Sequence, residues 1–252
     1  MSLKEKTIKG LSWSVGARVF RQGSQFVVTV ILARLLSPTD FGLIGMATFF
    51  TGFAMIFSEM GISSAIIQKQ DTDENHRSSA FWLNILCGIF LTALFYFLSP
   101  FIAQFYDTDL LTPIIRVMSF SFFIGGFTVV QRALLQKDMC FKYVSLAETI
   151  GVLVAGITAI ICALSGLGVW SLVSQVLLST FVMTLLLWFF SKWRPRFMWS
   201  PKAIKDIFHF SANVTGFNII NYFARNVDYL LIGKFLGSEA LGYYTLAYKL
   251  MM

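Results

Sequence analysis

Charged residues are scarce in this sequence. Only 13% of its 252 residues are Asp, Glu, Lys or Arg, whereas about a quarter of the residues in soluble domains are charged. Hydrophobic residues make up 56% of the chain, and the mean hydropathy is +0.71. A soluble core of this length cannot bury so much apolar surface. The composition therefore excludes an ordinary soluble domain and predicts an integral membrane protein.

Residues that bind metals or form disulfides are also few. The three cysteines, Cys87, Cys140 and Cys162, include no CxxC pair, so neither a disulfide framework nor a cysteine metal site is predicted. His76 and His209 have no second His, Cys or Glu at ligand spacing. The chain also contains no P-loop and no GxSxG motif. We therefore expect a protein that has no cofactor and no bound metal and is not an enzyme.

Long apolar runs divide the chain into segments of membrane-spanning length. The first run carries Arg18 and Arg21 and has no small-residue cleavage site, so we predict a retained span and not a signal peptide. The run 149–191 is too long for one span, and the glycines of "SGLGVW" (165–170) predict a turn inside it. The predicted spans are residues 11–33, 41–67, 80–105, 110–131, 143–164, 169–190 and 207–232, and an eighth begins at residue 241.

These spans predict an all-α integral membrane protein with the architecture of a multi-pass helical transporter. Residues 1–10 form a cytoplasmic N-terminus, and residues 11–190 form an N-lobe of six transmembrane helices. A cytoplasmic linker between the lobes covers residues 191–206. Residues 207–252 begin a second lobe, of which the sequence contains the first one to two helices.

Basic residues are distributed unevenly over the predicted loops. If the N-terminus is cytoplasmic, the outside loops carry only Arg34 and Lys234 as basic residues, and every other basic loop residue lies inside. This bias is the positive-inside pattern, and it predicts a multi-pass protein of the bacterial cytoplasmic membrane with its N-terminus in the cytoplasm. The inside residues are Lys4, Lys6, Lys9, Lys69, Arg77, Arg132, Lys137, Lys142, Lys192, Arg194, Arg196, Lys202 and Lys205.

A short connector occurs twice in the sequence. "ARLLSPTDFG" (33–42) returns as "GKFLGSEALG" (233–242), and at this offset of 200 residues Gly42 aligns with Gly242. Five identities over some thirty residues could be chance in so apolar a chain. However, six spans separate the copies, so spans one and seven run in the same direction. We therefore predict a parallel repeat, with both connectors outside.

The first and seventh spans each carry a polar stripe on one helical face. A charge at the bilayer centre costs roughly 2.5–3.5 kcal/mol, so these side chains are expected to face a water-filled cavity between the lobes. Two alternatives stay open: Arg18 could reach the headgroups, and Arg225 could form an ion pair with Asp228 that only joins helices. The predicted substrate-binding residues are Arg18, Arg21, Gln22 and Gln25 on span one, and Asn218, Asn221, Arg225 and Asp228 on span seven.

Three further charges interrupt the apolar runs. Glu59 and Arg116 are candidates for ion coupling or gating, with an ordinary place at the membrane interface as the alternative for each. Glu148 has the same interfacial interpretation.

Several motifs resemble those of one transporter family. They are "ILARLLSPTDFGLIGMATFF", "EMGISSAIIQK", "QRALLQKDMCFKYVSLAETIG", "GLGVWSLVSQVLL" and "NVDYLLIGKFLGSEALGYYTLAYKL". Across its whole length the chain resembles the N-terminal half of a Wzx-type polysaccharide flippase, within the multidrug/oligosaccharidyl-lipid/polysaccharide exporter superfamily. Family proteins are about twice as long, so the resemblance implies a fragment or a truncated product.

The resemblance implies a function as well as a fold. It implies translocation of an undecaprenyl-diphosphate-linked oligosaccharide by alternating access of two lobes, through a central cavity lined largely by spans one and seven. The implied partners are this substrate, membrane lipids and polysaccharide assembly proteins, with no nucleic acid. Arginine suits the diphosphate, because its planar charged fork pairs with phosphate oxygens.

Three other functions remain open at this point. A drug or cation antiporter of the same superfamily would need acidic cavity residues, whereas Asp228 is the only acid on the two stripes. A membrane-bound polysaccharide polymerase or ligase would need a large outer loop, and every predicted outside loop is short. A non-transporting fragment is the third alternative.

Overall fold

The computed structural model describes the backbone of residues 3–59, 62–68 and 73–251. Within those ranges the side chains are described except at residues 3–15, 59, 65, 68, 202–203, 206–214 and 250–251. The described chain is helical except for its turns and the segment 191–200. Its helices are α1 (Leu3–Leu35), α2 (Pro38–Glu59), α3 (Ile62–Gln68), α4 (Glu74–Phe105), α5 (Leu111–Gly126), α6 (Val129–Lys137), α7 (Phe141–Leu164), α8 (Val169–Phe190) and α9 (Pro201–Met251).

The helices confirm the predicted fold class of an all-α integral membrane protein. In the described part of the chain, α4, α7, α8 and the segment Pro38–Ser64 are long and apolar enough to cross a membrane, and the bent pair α5–α6 is a fifth candidate. The two helices that carry the polar stripes, α1 and α9, are not among these candidates. Their polar residues lower their hydropathy, which agrees with a position against protein or water.

One predicted span is bent in the structure. The span predicted at 41–67 covers α2 and α3, and residues 60–61 between them lie outside the described residues. The span predicted at 110–131 consists of α5 and α6, which meet at an angle of 41°. The last turn of α5 contains two glycines, which are poor helix formers. Helix α8 stabilises the bend, because the Trp188 indole donates a 2.9 Å hydrogen bond to the Phe127 carbonyl.

A proline inside α4 explains the surroundings of Arg116. Pro100 has no N–H, so the carbonyl of Tyr96 one turn earlier lacks its helical donor. The Ser99 hydroxyl donates to that oxygen at 2.8 Å, and Arg116 Nε on α5 lies 3.4 Å from it and 3.2 Å from Ser99 Oγ. The guanidinium also lies 4.7 Å from the Tyr96 ring centroid. Arg116 therefore joins α5 to the proline site of α4, and the coupling or gating role suggested for it stays a prediction.

The turns lie at two ends of the helix bundle. At one end, here the connector end, Lys234 pairs with Asp107 of the α4–α5 turn at 2.8 Å, and Gly168 of the α7–α8 turn approaches the Asp40 carboxylate. Ser37 and Asp40 cap the start of α2 there with reciprocal hydrogen bonds. The other end, here the linker end, holds the start of α4 and residues 191–200.

At the linker end, Asp73 caps α4 by accepting a 2.9 Å hydrogen bond from the His76 backbone N–H. The His76 side chain also hydrogen-bonds to this exposed carboxylate and lowers the pKa of Asp73. This cap fixes where α4 begins, and the first turns of α4 hydrogen-bond to residues 191–200.

Helix α9 is a helical hairpin with its turn at Gly237. The Tyr244 hydroxyl donates to Asp228, sixteen positions earlier, although these residues would be about 24 Å apart along a continuous helix. Gly237 has φ of 82°, a conformation that glycine adopts without strain. The chain therefore reverses there into a first arm (201–236) and a second arm (238–251). This turn lies inside the second connector that the repeat predicted.

Candidate functional site

A polar cleft of about 680 Å³ lies along α1. The structure brings the four predicted α1 residues together in it, and adds Lys249 from the second arm of α9. The cleft is rich in positive charge, because three of its lining residues are Arg or Lys. Its lining residues are Arg18, Val19, Arg21, Gln22, Gly23, Gln25, Phe26, Thr29 and Lys249.

Arg21 belongs to a charge triad that joins three helices. The carboxylate of Glu148 on α7 accepts from Arg21 on α1 through one oxygen and from Arg132 on α6 through the other. The side chains are 27%, 17% and 31% exposed for Arg21, Glu148 and Arg132, so all three are partly removed from solvent. Because one carboxylate is shared by two guanidinium groups, the triad keeps one net positive charge.

The triad lies between two cavities. Arg21 lines the cleft, whereas Arg132 lines a smaller cavity of about 230 Å³ among α2, α3, α5, α6 and α8. Glu148 thus pairs with one arginine from each. The smaller cavity also has polar walls, formed by Ser58, Ser63, Thr128, Gln136 and Thr180.

The four predicted polar residues on the first arm of α9 do not line the α1 cleft. Asn218, Asn221 and Arg225 are exposed on the first arm. Asp228 accepts from the Tyr244 hydroxyl and, at 3.0 Å, from the Tyr229 backbone N–H, and it forms no ion pair with Arg225. That alternative for Arg225 is therefore not what the structure shows. The substrate-binding role of these four residues stays a prediction.

The connector end is closed by direct contact between the two connectors. A Cβ atom at Gly42 would overlap the backbone carbonyl oxygen of Ser238, and one at Gly242 would overlap that of Pro38. The two contacts are equivalent under the offset of 200 residues, because Gly42 aligns with Gly242 and Pro38 aligns with Ser238. This pair of contacts, here the connector seam, is self-complementary, as in a symmetric dimer interface. The two copies of the connector therefore pack on one another around a local pseudo-twofold axis.

Packing of the first arm against α2 continues below the seam. The Tyr222 hydroxyl donates to the Phe49 carbonyl at 2.7 Å, and its ring lies 6.0 Å and 6.1 Å from the rings of Phe49 and Phe53. Tyr222 thus acts as a packing residue in this structure.

The sequence did not predict the position of three residues in or beside the cleft. Glu148 was interpreted as interfacial, Arg132 only as a loop charge, and Lys249 was not considered. A lone acid within an apolar helix is a usable signal, because acids in membrane helices generally pair with a base. The side chain of Glu59 lies outside the described residues, so its suggested coupling role stays a prediction.

Residues 31–252 match the family described as "Polysaccharide biosynthesis protein". The chain belongs to this family. Its similarity extends to "Teichuronic acid biosynthesis protein TuaB" of Bacillus subtilis, with 34% identity over 99% of this chain and 52% of that protein. "Lipopolysaccharide biosynthesis protein WzxC" of Escherichia coli is 32% identical over 99% of this chain and 51% of its own length.

A third relative is "Succinoglycan biosynthesis transport protein ExoT" of Rhizobium meliloti, 28% identical over 98% of this chain and 50% of that protein. These matches confirm the resemblance to Wzx-type proteins. The chain spans about half the length of the curated relatives it matches.

The fold is also that of a known transporter. A solved structure described as the inward-facing conformation of a multidrug resistance MATE family transporter of the MOP superfamily superposes with a TM-score of 0.65. The superposition covers 94% of this chain and 60% of the other, at 16% identity. At this identity the likeness shows the fold alone. The described helices of this chain therefore have the arrangement found in a multi-pass transporter.

Proposed function

We propose that the complete protein is a flippase that moves an undecaprenyl-diphosphate-linked oligosaccharide across the bacterial cytoplasmic membrane by alternating access. The observation that carries the proposal is the basic, polar α1 cleft with Arg21 at its wall. The names of the relatives support it, since they are biosynthesis and transport proteins for surface polysaccharides. The bias of basic residues towards the linker end supports a cytoplasmic linker end and N-terminus.

The cleft offers groups that suit a charged lipid-linked sugar. Arg18, Arg21 and Lys249 supply positive charge for the diphosphate, and arginine does so with a planar fork of donors that matches phosphate oxygens. Gln22 and Gln25 supply amides for sugar hydroxyls. Asn218, Asn221 and Arg225, exposed on the first arm of α9, and the half-buried Asp228 are the corresponding groups of the second half.

Glu148 determines how Arg21 takes part. In this structure the Arg21 guanidinium is already paired with a carboxylate, so a phosphate group must either share it or displace it from Glu148. The second guanidinium, from Arg132, keeps Glu148 paired when Arg21 moves away, which lowers the cost of the exchange. Glu148 therefore acts as an internal counter-anion, and Arg132 as the positioning residue that retains it.

The experiment replaces Arg21 with Gln in the full-length protein and measures surface polysaccharide and lipid-linked oligosaccharide retained in the inner leaflet. We expect export to fall at least tenfold, about 1.4 kcal/mol, with normal amounts of protein in the membrane. Arg34→Gln is the matched control, because Arg34 is an exposed arginine on the same helix outside the cleft.

Unchanged export in Arg21→Gln would contradict the flippase proposal. Unchanged export together with lost drug resistance would favour the antiporter instead. The basic cleft argues against that alternative, since organic cations require acidic partners.

A further inference from the structure

The linker between α8 and α9 is an extended segment held against the start of α4. Residues 191–200, here the linker segment, hydrogen-bond to four residues of that helix. The Trp82 indole donates to the Arg196 carbonyl at 2.9 Å, and the Trp193 indole donates to the Glu74 carboxylate at 3.0 Å. The backbone N–H groups of Arg196 and Ser200 donate to the hydroxyls of Ser78 and Ser79 at 3.1 Å and 2.9 Å.

These hydrogen bonds set which side chains face outward. Ser78 and Ser79 are fully buried, so the backbone of the segment is fixed on the bundle by internal partners. Arg194 adds to this by donating to the carbonyls of Ser191 and Trp188, near the end of α8. The segment is therefore not a loose tether between two lobes.

Three large apolar side chains follow one another on the outer side of the segment. Phe197 is 92% exposed, Met198 37% and Trp199 53%, although one face of the Phe197 ring stacks on Trp82 at 4.8 Å. A fixed backbone cannot turn these residues into the core. Adjacent exposed apolar residues of this size indicate an apolar partner.

The charges around these residues have one sign. Lys192, Arg194, Arg196, Lys202 and Lys205 lie within residues 191–205, which contain no Asp or Glu. The segment follows directly on α8, which is long and apolar enough to cross a membrane, so it begins at the edge of the hydrocarbon layer. Trp and Phe with Lys and Arg at that depth are typical of the lipid headgroup region, and clusters of basic residues beside a transmembrane helix attract anionic lipids.

We propose that the linker segment is a binding surface for the anionic phospholipid headgroups of the leaflet at the linker end. Phe197 and Trp199 enter the boundary between headgroups and acyl chains, and Lys192, Arg196 and Lys205 pair with lipid phosphates. This surface is distinct from the α1 cleft and does not depend on the proposed transport function. It holds the linker segment against the membrane surface as far as Ser200.

The depth of Trp199 is the first test. The protein is placed in phosphatidylcholine nanodiscs with bromine either near the headgroup end or near the middle of the acyl chains, and fluorescence is compared with that of Trp199→Phe. The difference between the two proteins reports Trp199. We expect strong quenching by the shallow bromines and weak quenching by the deep ones. A difference signal that no bromine quenches, in this chain or in the full-length protein, would overturn the proposal, because water or protein would then cover Trp199.

The charge of the surface is the second test. Phosphatidylglycerol and phosphatidylcholine retained by the protein are measured after extraction from mixed vesicles of both lipids. Arg196→Gln is compared with Arg34→Gln, an exposed arginine at the connector end. We expect about a fivefold lower preference for phosphatidylglycerol in Arg196→Gln and no change in Arg34→Gln, with the difference disappearing at high salt. An equal response of the two variants, or no preference in the unchanged protein, would overturn the proposal.

Discussion

The connector seam and the α1 cleft differ in how their helices meet. At the connector seam, backbone lies directly on backbone, with Gly42 against Ser238 and Gly242 against Pro38. Along the cleft, long charged side chains face open space, and the shared carboxylate of Glu148 links α1 to α6 and α7. Backbone packed on backbone has no side chain that can change its rotamer, whereas Arg21 can leave Glu148 for another anion. We infer that the seam is the fixed point and the cleft the adjustable one.

The largest expected effect comes from filling the seam. Gly42→Ala and Gly242→Ala each place a methyl group into a backbone carbonyl, which no side-chain rotation relieves, so we expect destabilisation on the order of 3 kcal/mol. Heat unfolding followed by circular dichroism measures it. Gly23→Ala is the control, because nothing lies within 4 Å of a Cβ there and the substitution should stabilise α1 by roughly 0.5–1 kcal/mol.

A distance measurement sharpens this prediction. Thr39 and Glu239 are exposed, equivalent positions in the two connectors, and spin labels there report the width of the seam. In a background without the three native cysteines, the distance between labels should increase in Gly42→Ala. An unchanged distance together with unchanged stability would show that the connectors do not rest on each other.

An intermediate effect is expected from the triad. Glu148→Gln leaves Arg21 and Arg132 without their shared carboxylate, and because all three side chains are partly exposed we expect a loss of about 2 kcal/mol. A double-mutant cycle measures the coupling by unfolding. Arg21→Gln should cost less in the Glu148→Gln background than alone, whereas Arg18→Gln, which removes another arginine of the cleft, should be additive. Additivity for Arg21 as well would refute a working triad.

The smallest effect is expected for the ion pair at the connector end. Asp107 is 81% exposed, so Asp107→Asn should change the free energy of unfolding by less than about 1 kcal/mol, and high salt should abolish the change. Titration with denaturant at two salt concentrations measures it. A larger effect that resists salt would mean that the Lys234 pair, and not the glycine contact, closes this end.

The sequence predicted those features that depend on local pattern. Apolar runs of span length indicated the helices, the spacing of Gly42 and Gly242 indicated the repeat, and the i, i+3, i+4 spacing of Arg18, Arg21, Gln22 and Gln25 indicated one lined face. The helices and the polar face follow from the period of an α-helix and the apolar or polar character of its residues, and the repeat follows from aligning the chain with itself. The turn at Gly237 also lies within the connector that the repeat identified.

The sequence could not predict contacts between distant helices. Glu148 lies 127 positions from Arg21, and nothing near it in the chain shows that two arginines converge on it. The bend between α5 and α6 is likewise stabilised from α8 by Trp188, and the Tyr96 carbonyl exposed by Pro100 is reached by Arg116 from another helix. In each case the partner that satisfies a polar group comes from a separate part of the sequence.

The geometry of the seam also bears on how such a chain could originate. Each connector contains a glycine that contacts a carbonyl of the other connector. It also contains the residue whose carbonyl contacts the glycine of the other connector. A single copy therefore carries both a surface and its complement. A surface of this kind pairs with a duplicate of itself whether the two are joined or separate. Gene duplication and fusion of a half-length ancestor would therefore have required no new interface at this end, only the linker that ties the second copy to the first.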